Sequence, residues 1–386
     1  MVKVVGKWVK RRSPRLVTDA SAPAELQPFG RTSSRELAIV AILGLLIVVA
    51  FIAAFVRVQT DRGIRLWMLN HGPDQLVVVN PDTGEVEKEL LVADGLQQVV
   101  FNHSKDTAFV ANVVDISNRV TLIDTRSYLK SEQIIVDGVP QGLAVFPDDE
   151  RLAVISGSKT DFMAGGFDVL DLTKQSAADP QRKRAIYRER DLSLTAFIAV
   201  DDAGENVYCL DAKASHVFIF NMEERKLVRT IDIGAAPMGL LYPEYGDHFF
   251  VSSIKDKAIT VLKKAQNPQD VEIAGKVEYG RFRHMALSRD GKLLYAPVYE
   301  LMEVAVIDVE TLEVVKIFKT DEGCSLIAVS PMGDDIYAVG FTTGKVYVMD
   351  AGNGALKRTI TTHGEFRDIK VILESDKPAL KAGSAR

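Results

Sequence analysis

Between residues 76 and 360 one pattern recurs seven times: a short apolar run ending in Asn or Asp, a turn, and a charged run. The copies are LVVVNPDTGEVEKEL (76–90), VTLIDTRSYLK (120–130), FDVLDLTKQ (167–175), HVFIFNMEERKLVRTI (216–231), AITVLKKAQNPQDVEI (258–273), VAVIDVETLEVVKIF (304–318) and VYVMDAGNGALKRTI (346–360). The closing residue is Asn80, Asp124, Asp171, Asn221, Lys263, Asp308 and Asp350 in turn. Asn and Asp suit that place because their side chains accept a hydrogen bond from an amide two residues on and so close a hairpin. Lys263 cannot, which predicts a longer or differently built hairpin there.

A second unit precedes each later copy: an apolar strand, a turn of Pro, Asp or Gly, and another apolar strand. Its clearest forms are IAVSPMGDDIYAVG (327–340), MALSRDGKLLYAPV (285–298), LLYPEYGDHFFVSS (240–253) and GLAVFPDDERLAVISG (142–157), with looser forms at 99–112 and 197–210. Aligned on their turns, Asn102, Phe146, Asp201, Pro243, Ser288 and Ser330 fall 44, 55, 42, 45 and 42 residues apart. The long interval holds KTDFMAGGFD and SAADPQRKRAIYRERD, which read as loop insertions in the third unit. Four short strands per 42–45 residues is the pattern of a propeller blade, and one blade cannot bury both its faces alone. Strand-period alternation continues throughout, with no sustained helical period after residue 64. The first unit lacks its leading strand, while FRDIKVIL (366–373) is left over at the far end. Pairing the two completes seven blades and removes the exposed sheet edges.

Stretches such as LWMLNHGPDQLVVVNPDTGEV and LLYAPVYELMEVAVIDVETLEVV resemble the repeats of YVTN-type β-propeller proteins. The resemblance covers everything beyond the membrane segment described next. It implies a fold and little about activity, because that family includes binding modules, surface proteins and relatives of lactonases and of haem d1 domains. The tryptophan–aspartate class of propeller is disfavoured: the two tryptophans, Trp8 and Trp67, do not precede Asp.

The segment from Leu37 to Val56, LAIVAILGLLIVVAFIAAFV, has no charge and no proline. As a helix its twenty residues extend roughly 30 Å, the thickness of a bilayer core, where only a helix satisfies its own backbone. A cleaved signal peptide is the rival reading. The run is longer than a usual signal core, its leader is 36 residues, and no Ala-x-Ala site follows, so an anchor is preferred. Before residue 37 stand Lys3, Lys7, Lys10, Arg11, Arg12, Arg15, Arg31 and Arg35 against Asp19, Glu25 and Glu36, a net of +5. The chain as a whole carries −5, so the remainder carries −10. The positive-inside rule then expects a cytoplasmic N-terminus and a periplasmic propeller on a bacterial inner membrane. The basic cluster either rests on anionic headgroups or only sets topology. An acidic extramembrane part makes nucleic acid a poor partner.

The expected organisation is therefore all-β, a seven-bladed β-propeller with an N-terminal single transmembrane helix. It comprises a disordered basic segment (1–36), the helix (37–57), a linker (58–64), the propeller (65–375) and a flexible tail (376–386). Ligands of propellers gather where loops surround the central channel. Candidate metal ligands at that mouth are His71, His284, Cys324 and His363, and a candidate anion rim is Arg281, Arg283 and Arg367. There is no HxH, HxxxH or CxxC spacing and no GxSxG elbow. No cofactor is expected. The two cysteines, Cys209 within a strand and Cys324 at the mouth, fall on distant blades and are expected as free thiols. The leading expectation is a non-enzymatic binding or scaffolding module for a protein partner or membrane complex. The alternative is a periplasmic enzyme or a cofactor- or metal-binding subunit using the channel mouth.

Overall fold

The computed structural model describes residues 39, 41–49, 61–72, 74–112, 118–158, 164–177, 183–193 and 195–376. The chain divides into two compact units, Met1–Val56 and Arg57–Arg386. In the first, residue 39 and residues 41–49 are helical, and their large apolar side chains are 53–67% exposed. Among the described residues no helix is long and apolar enough to cross a membrane. The rest of the expected span, the basic segment before it and nearly all of the tail lie outside the described residues.

The second unit is all-β: seven antiparallel four-stranded sheets, each running from an inner strand to an outer one in chain order. Blade one alone is assembled from both ends of the chain. Phe366–Leu373 is its innermost strand and pairs with Ile64–Asn70, with Leu66 opposite Val371 and Met68 opposite Ile369. The ring closure expected from the leftover strand is thus present.

Burial explains why the inner strands read as continuous apolar runs. Seven hydrophobic clusters exist, each between two neighbouring blades. A strand inside a blade therefore has a blade against both faces, and Ile64–Asn70 (IRLWMLN) is buried at every position. The outer strand Glu85–Leu91 (EVEKELL) is mostly exposed. The closing strand serves two clusters: Phe366 and Ile369 pack toward blade seven, Ile372 toward blade two.

The hairpin residues act as their chemistry suggests. Asn80 Oδ1 accepts from the amides of Asp82 (2.9 Å) and Thr83 (3.1 Å). Asp308 Oδ1 accepts from Glu310 (3.0 Å) and Thr311 (2.8 Å), and Asp350 Oδ1 from Gly352 (3.0 Å) and Asn353 (3.1 Å). Lys263 ends its strand without this bond. The longer connection that follows contains a 3-10 turn, Pro268–Asp270, capped by the Asn267 side chain on the Gln269 amide. Blade three differs from expectation. Much of the supposed loop sequence is strand, because Ala164–Gln175 and Lys183–Ser193 form a hairpin extended past its neighbours. Ile186 and Tyr187, with Val169 opposite Tyr187 on the partner strand, pack on the blade, which a reading based on charge alone overlooked.

The polypeptide reaches the ring from the side opposite its channel mouth. Ile64 lies opposite Leu373, whereas Asn70, at the other end of the strand, meets Phe366 and the mouth loops. At the first end the Arg62 guanidinium bonds Asp82 of blade one (2.6 Å) and Asp334 and Asp335 of blade seven (2.5 and 2.7 Å). Arg65 adds Glu87 (2.5 Å) and Asp61 (3.0 Å).

Candidate functional site

The mouth is formed by the segments leading into each inner strand and by the turns between second and third strands. Blade six is the exception in the ring. Its inner strand is only Ala286–Leu287, whereas the other inner strands run five to eight residues. Residues 279–285 leave the ladder, touching it again at the Phe282–Val298 bridge. This irregular segment carries Arg281, Arg283 and His284.

His284 is enclosed by the ring, yet 26% of its side chain meets the channel. Its Nε2 is 3.9 Å from Asp368 Oδ1 on the closing strand, its Nδ1 is buried, and the Ile327 backbone of blade seven hydrogen-bonds the imidazole. Burial pushes the imidazole down to about 4, assisted by the positive charge of Lys370 and opposed by Asp368. The ring is therefore neutral at ordinary pH. Asp368 is itself held by backbone: Oδ2 accepts from Val99 N (3.0 Å) and Oδ1 from Ile369 N (2.9 Å). Lys370 Nζ stands 3.7 Å from Oδ1. The His284–Asp368 contact brings the segments bearing Arg283 and Arg367 to one side of the channel. Arg281, Arg283 and Arg367 are exposed, and among the described residues none makes an ion pair.

The proposed metal ligands do not assemble. His71 and His363 do meet at the seam, where the His71 amide donates to Glu365 O (2.8 Å) and Asn70 Nδ2 donates to His363 O (2.8 Å). Gly364, at φ +149°, allows that approach, since a Cβ there would strike the Asn70 side chain at 2.1 Å. Cys324 does not join them. It is 1% exposed, packed with Tyr295, Phe318 and Ile327 between blades six and seven. It opens the strand Cys324–Val329, buried at its first five positions, so its side chain takes a core place and not a mouth place. Burial raises its thiol to about 12. Among the described residues no three His, Cys, Asp or Glu groups are placed to hold a metal ion. Cys209 is also free and buried, and burial raises its thiol as well.

A further feature of the mouth carries no motif. The blade-six turn Tyr299–Leu301 and Met302 projects apolar side chains that are 42% (Tyr299), 46% (Leu301) and 51% (Met302) exposed. The turn is fixed from below. Tyr299 packs edge-on against Phe341 of blade seven at 5.2 Å, and Arg283 lies 5.8 Å over the Phe341 ring. Glu300 Oε1 accepts from Arg281 N (3.2 Å), tying the turn to the irregular segment. Gly323 permits close packing here, because a Cβ would come within 2.5 Å of Tyr299. Sequence reasoning missed this rim, and it missed Asp368 and Lys370. The latter two were signalled by polar residues at alternate positions of an otherwise apolar strand, FRDIKVIL.

No protein-family model matches the chain, and the comparison with curated proteins finds no match. Solved structures match in shape. A functionally unknown protein from Desulfotomaculum acetoxidans aligns with TM-score 0.67 and 14% identity, over 80% of this chain and 98% of its own. The periplasmic gluconolactonase PpgL of Pseudomonas aeruginosa aligns with TM-score 0.64 and 15% identity, over 80% and 99%. Hydrazine synthase of Kuenenia stuttgartiensis aligns with TM-score 0.62 and 17% identity, over 76% and 94%. Such likeness establishes the propeller fold, which hosts proteins of different activities.

Proposed function

We propose that this chain is a membrane-tethered β-propeller of YVTN-like repeats that binds a protein partner at its channel mouth. The apolar run from Leu37 to Val56 is its anchor in a bacterial inner membrane, with the N-terminus cytoplasmic and the propeller periplasmic. The observation that carries the binding role is the rim of Tyr299, Leu301 and Met302 beside Phe341 and Arg283. Aromatic residues, Met and Arg are the types enriched in protein interfaces, and a rigid turn gives up little entropy on docking.

The test is retention of a stoichiometric partner from detergent-solubilised membranes by the full-length chain. The wild type is expected to hold it, and a Leu301→Asp, Met302→Asp variant of unchanged stability to lose it. Equal recovery by both overturns the rim as the docking surface. The enzyme reading is favoured by one arrangement, His284 with Asp368 and Lys370 in the channel. It predicts a bound metal or a visible absorption band in the purified protein, lost on His284→Ala together with His363→Ala.

A further inference from the structure

We propose that the face of the propeller opposite its mouth lies on the bilayer, with Met332 and Tyr245 reaching into the lipid headgroups and the mouth turned away from the membrane. This rests on the anchor at Leu37–Val56 and fixes which surface stays free for a protein partner.

Chain length gives the first argument. Five peptide steps separate Val56, the end of the apolar run, from Asp61, and fully extended they reach at most about 18 Å. Asp61 is fastened where it meets the ring: its Oδ1 accepts from Gly63 N (2.8 Å) and from Arg65 Nη1 (3.0 Å). Arg62 ties the same point to Asp82 (2.6 Å) and Asp335 (2.7 Å). Ile64 then opens the second strand of blade one, next to the innermost, so the tether arrives near the hub and not at the rim. A leash this short, fixed near the axis, brings that whole face to the lipid. Asn70, at the mouth end of the same strand, lies about 20 Å beyond.

The second argument is what the face exposes. Arg62 also bonds Asp334 (2.5 Å), in the blade-seven turn that carries Met332, 45% exposed. That turn is rigid, since Gly333 N donates to Ser330 O (2.8 Å) and Met332 N to Ser330 Oγ (3.1 Å). Blades six and five continue the strip. A Cβ on Gly333 would meet Arg289 Cβ at 3.5 Å, and one on Gly291 would meet Gly246 Cα at 3.4 Å. Beside Gly246 stands Tyr245, 42% exposed. One apolar tip is thus beside the tether's entry and another two blades from it. Tyrosine suits a membrane interface, with its ring in the apolar layer and its hydroxyl among the headgroups. The same turns expose Glu244, Asp247 and Asp290 together with Arg289 and Lys292, so both the phosphate and the amine of a zwitterionic headgroup find an opposite charge. Few side chains are needed, because the tether makes the contact intramolecular.

The test reconstitutes the full-length chain in vesicles of phosphatidylcholine and phosphatidylethanolamine, with a fluorescent maleimide on Met332→Cys, Tyr245→Cys or, at the mouth, Leu301→Cys. Cys209 and Cys324 are buried and stay unlabelled in the folded protein. Quenching by a headgroup-nitroxide lipid and by aqueous iodide is read at each position. Lipid quenching about threefold stronger at the Met332 and Tyr245 positions than at Leu301, with iodide in the reverse order, is expected from the distance between the two faces. If either position is quenched by lipid no more than Leu301, the orientation is overturned. Protection of both from iodide without lipid quenching assigns a protein cover and overturns it as well. An alkaline carbonate wash of the same vesicles keeps the two readings apart. Release of the chain removes the anchor and this inference with it, whereas retention with a failed quenching pattern removes the inference alone.

Discussion

Replacing Ile369 by alanine tests the closure of the ring at one side chain. Ile369 is 1% exposed on the closing strand and packs in the cluster that joins blades one and seven with Leu66, Met68, Val339 and Val346. The substitution removes three carbons, worth about 0.8 kcal/mol each in transfer energy, and leaves a cavity between two sheets that cannot collapse onto it. A loss of roughly 3–4 kcal/mol follows, a large part of the 5–15 kcal/mol typical of a folded protein. At about 2 °C per kcal/mol for a large domain, the melting temperature should fall by roughly 6–8 °C. Denaturant unfolding of the full-length chain, followed by the fluorescence of the fully buried Trp67, reads it out. The control is Ile317→Ala on the outer strand of blade six, where the side chain is 45% exposed and the change should stay within about 0.5 kcal/mol. Truncation after Thr362 removes Phe366, Ile369 and Ile372 together and should abolish cooperative unfolding. If Ile369→Ala behaves like the control, or the truncated chain unfolds at an unchanged midpoint, the closure is refuted.

Three further outcomes are expected. His284 has an ordinary value of 6.5 and is held at about 4 when folded, so as pH falls from 6.5 toward 4 the unfolded chain takes up a proton that the folded one refuses. Stability is therefore lost across that window, by roughly 2 kcal/mol between pH 7.5 and 4.5, and His284→Gln should flatten this part of the profile in paired denaturant titrations. Cys209 and Cys324 should resist a thiol reagent in the native protein and both react once it is denatured without reductant, since burial disfavours the thiolate of each; rapid native labelling of Cys324 would return it to the mouth. Arg62→Ala should cost about 1–3 kcal/mol in thermal unfolding, because it strips a partner from Asp335, 2% exposed, and from Asp82, 6% exposed; no loss would mean the cluster is only a surface decoration.

The wheel was legible because its signals are local and repeated. Asn80, Asp124, Asp308 and Asp350 each close a hairpin by a bond that the residue type alone implies, and the spare FRDIKVIL had one vacancy to fill. Lys263 marked its own exception. The site was harder to read because its geometry is not local. Cys324 appeared to be a mouth residue from its neighbours Asp321, Glu322 and Gly323, but the strand it opens faces the blade-six core, and only packing between blades decides that. His284 and Asp368 lie 84 positions apart in sequence, yet closure of the ring brings the blade-six segment and the closing strand to 3.9 Å at these side chains. No periodicity announces a two-residue inner strand, so the rim of Tyr299 and Met302 was hidden inside an ordinary-looking repeat. In blade three the charge of RKRAIYRER concealed a strand whose consecutive apolar residues, Ala185, Ile186 and Tyr187, pack against two different clusters.

The leader joins the second strand of blade one, not an edge, and this sets how the protein answers a pull. Force along residues before Ile64 runs parallel to a strand held by seven register partners on one side and five on the other. Ladder hydrogen bonds lie across that direction, so they are sheared together and not peeled in succession. Arg62 and Arg65 spread the strain sideways into blade seven and the Glu87 strand before it reaches the ladder. Tension thus arrives where the two chain ends are sewn to each other, and the stitching is oriented to resist it.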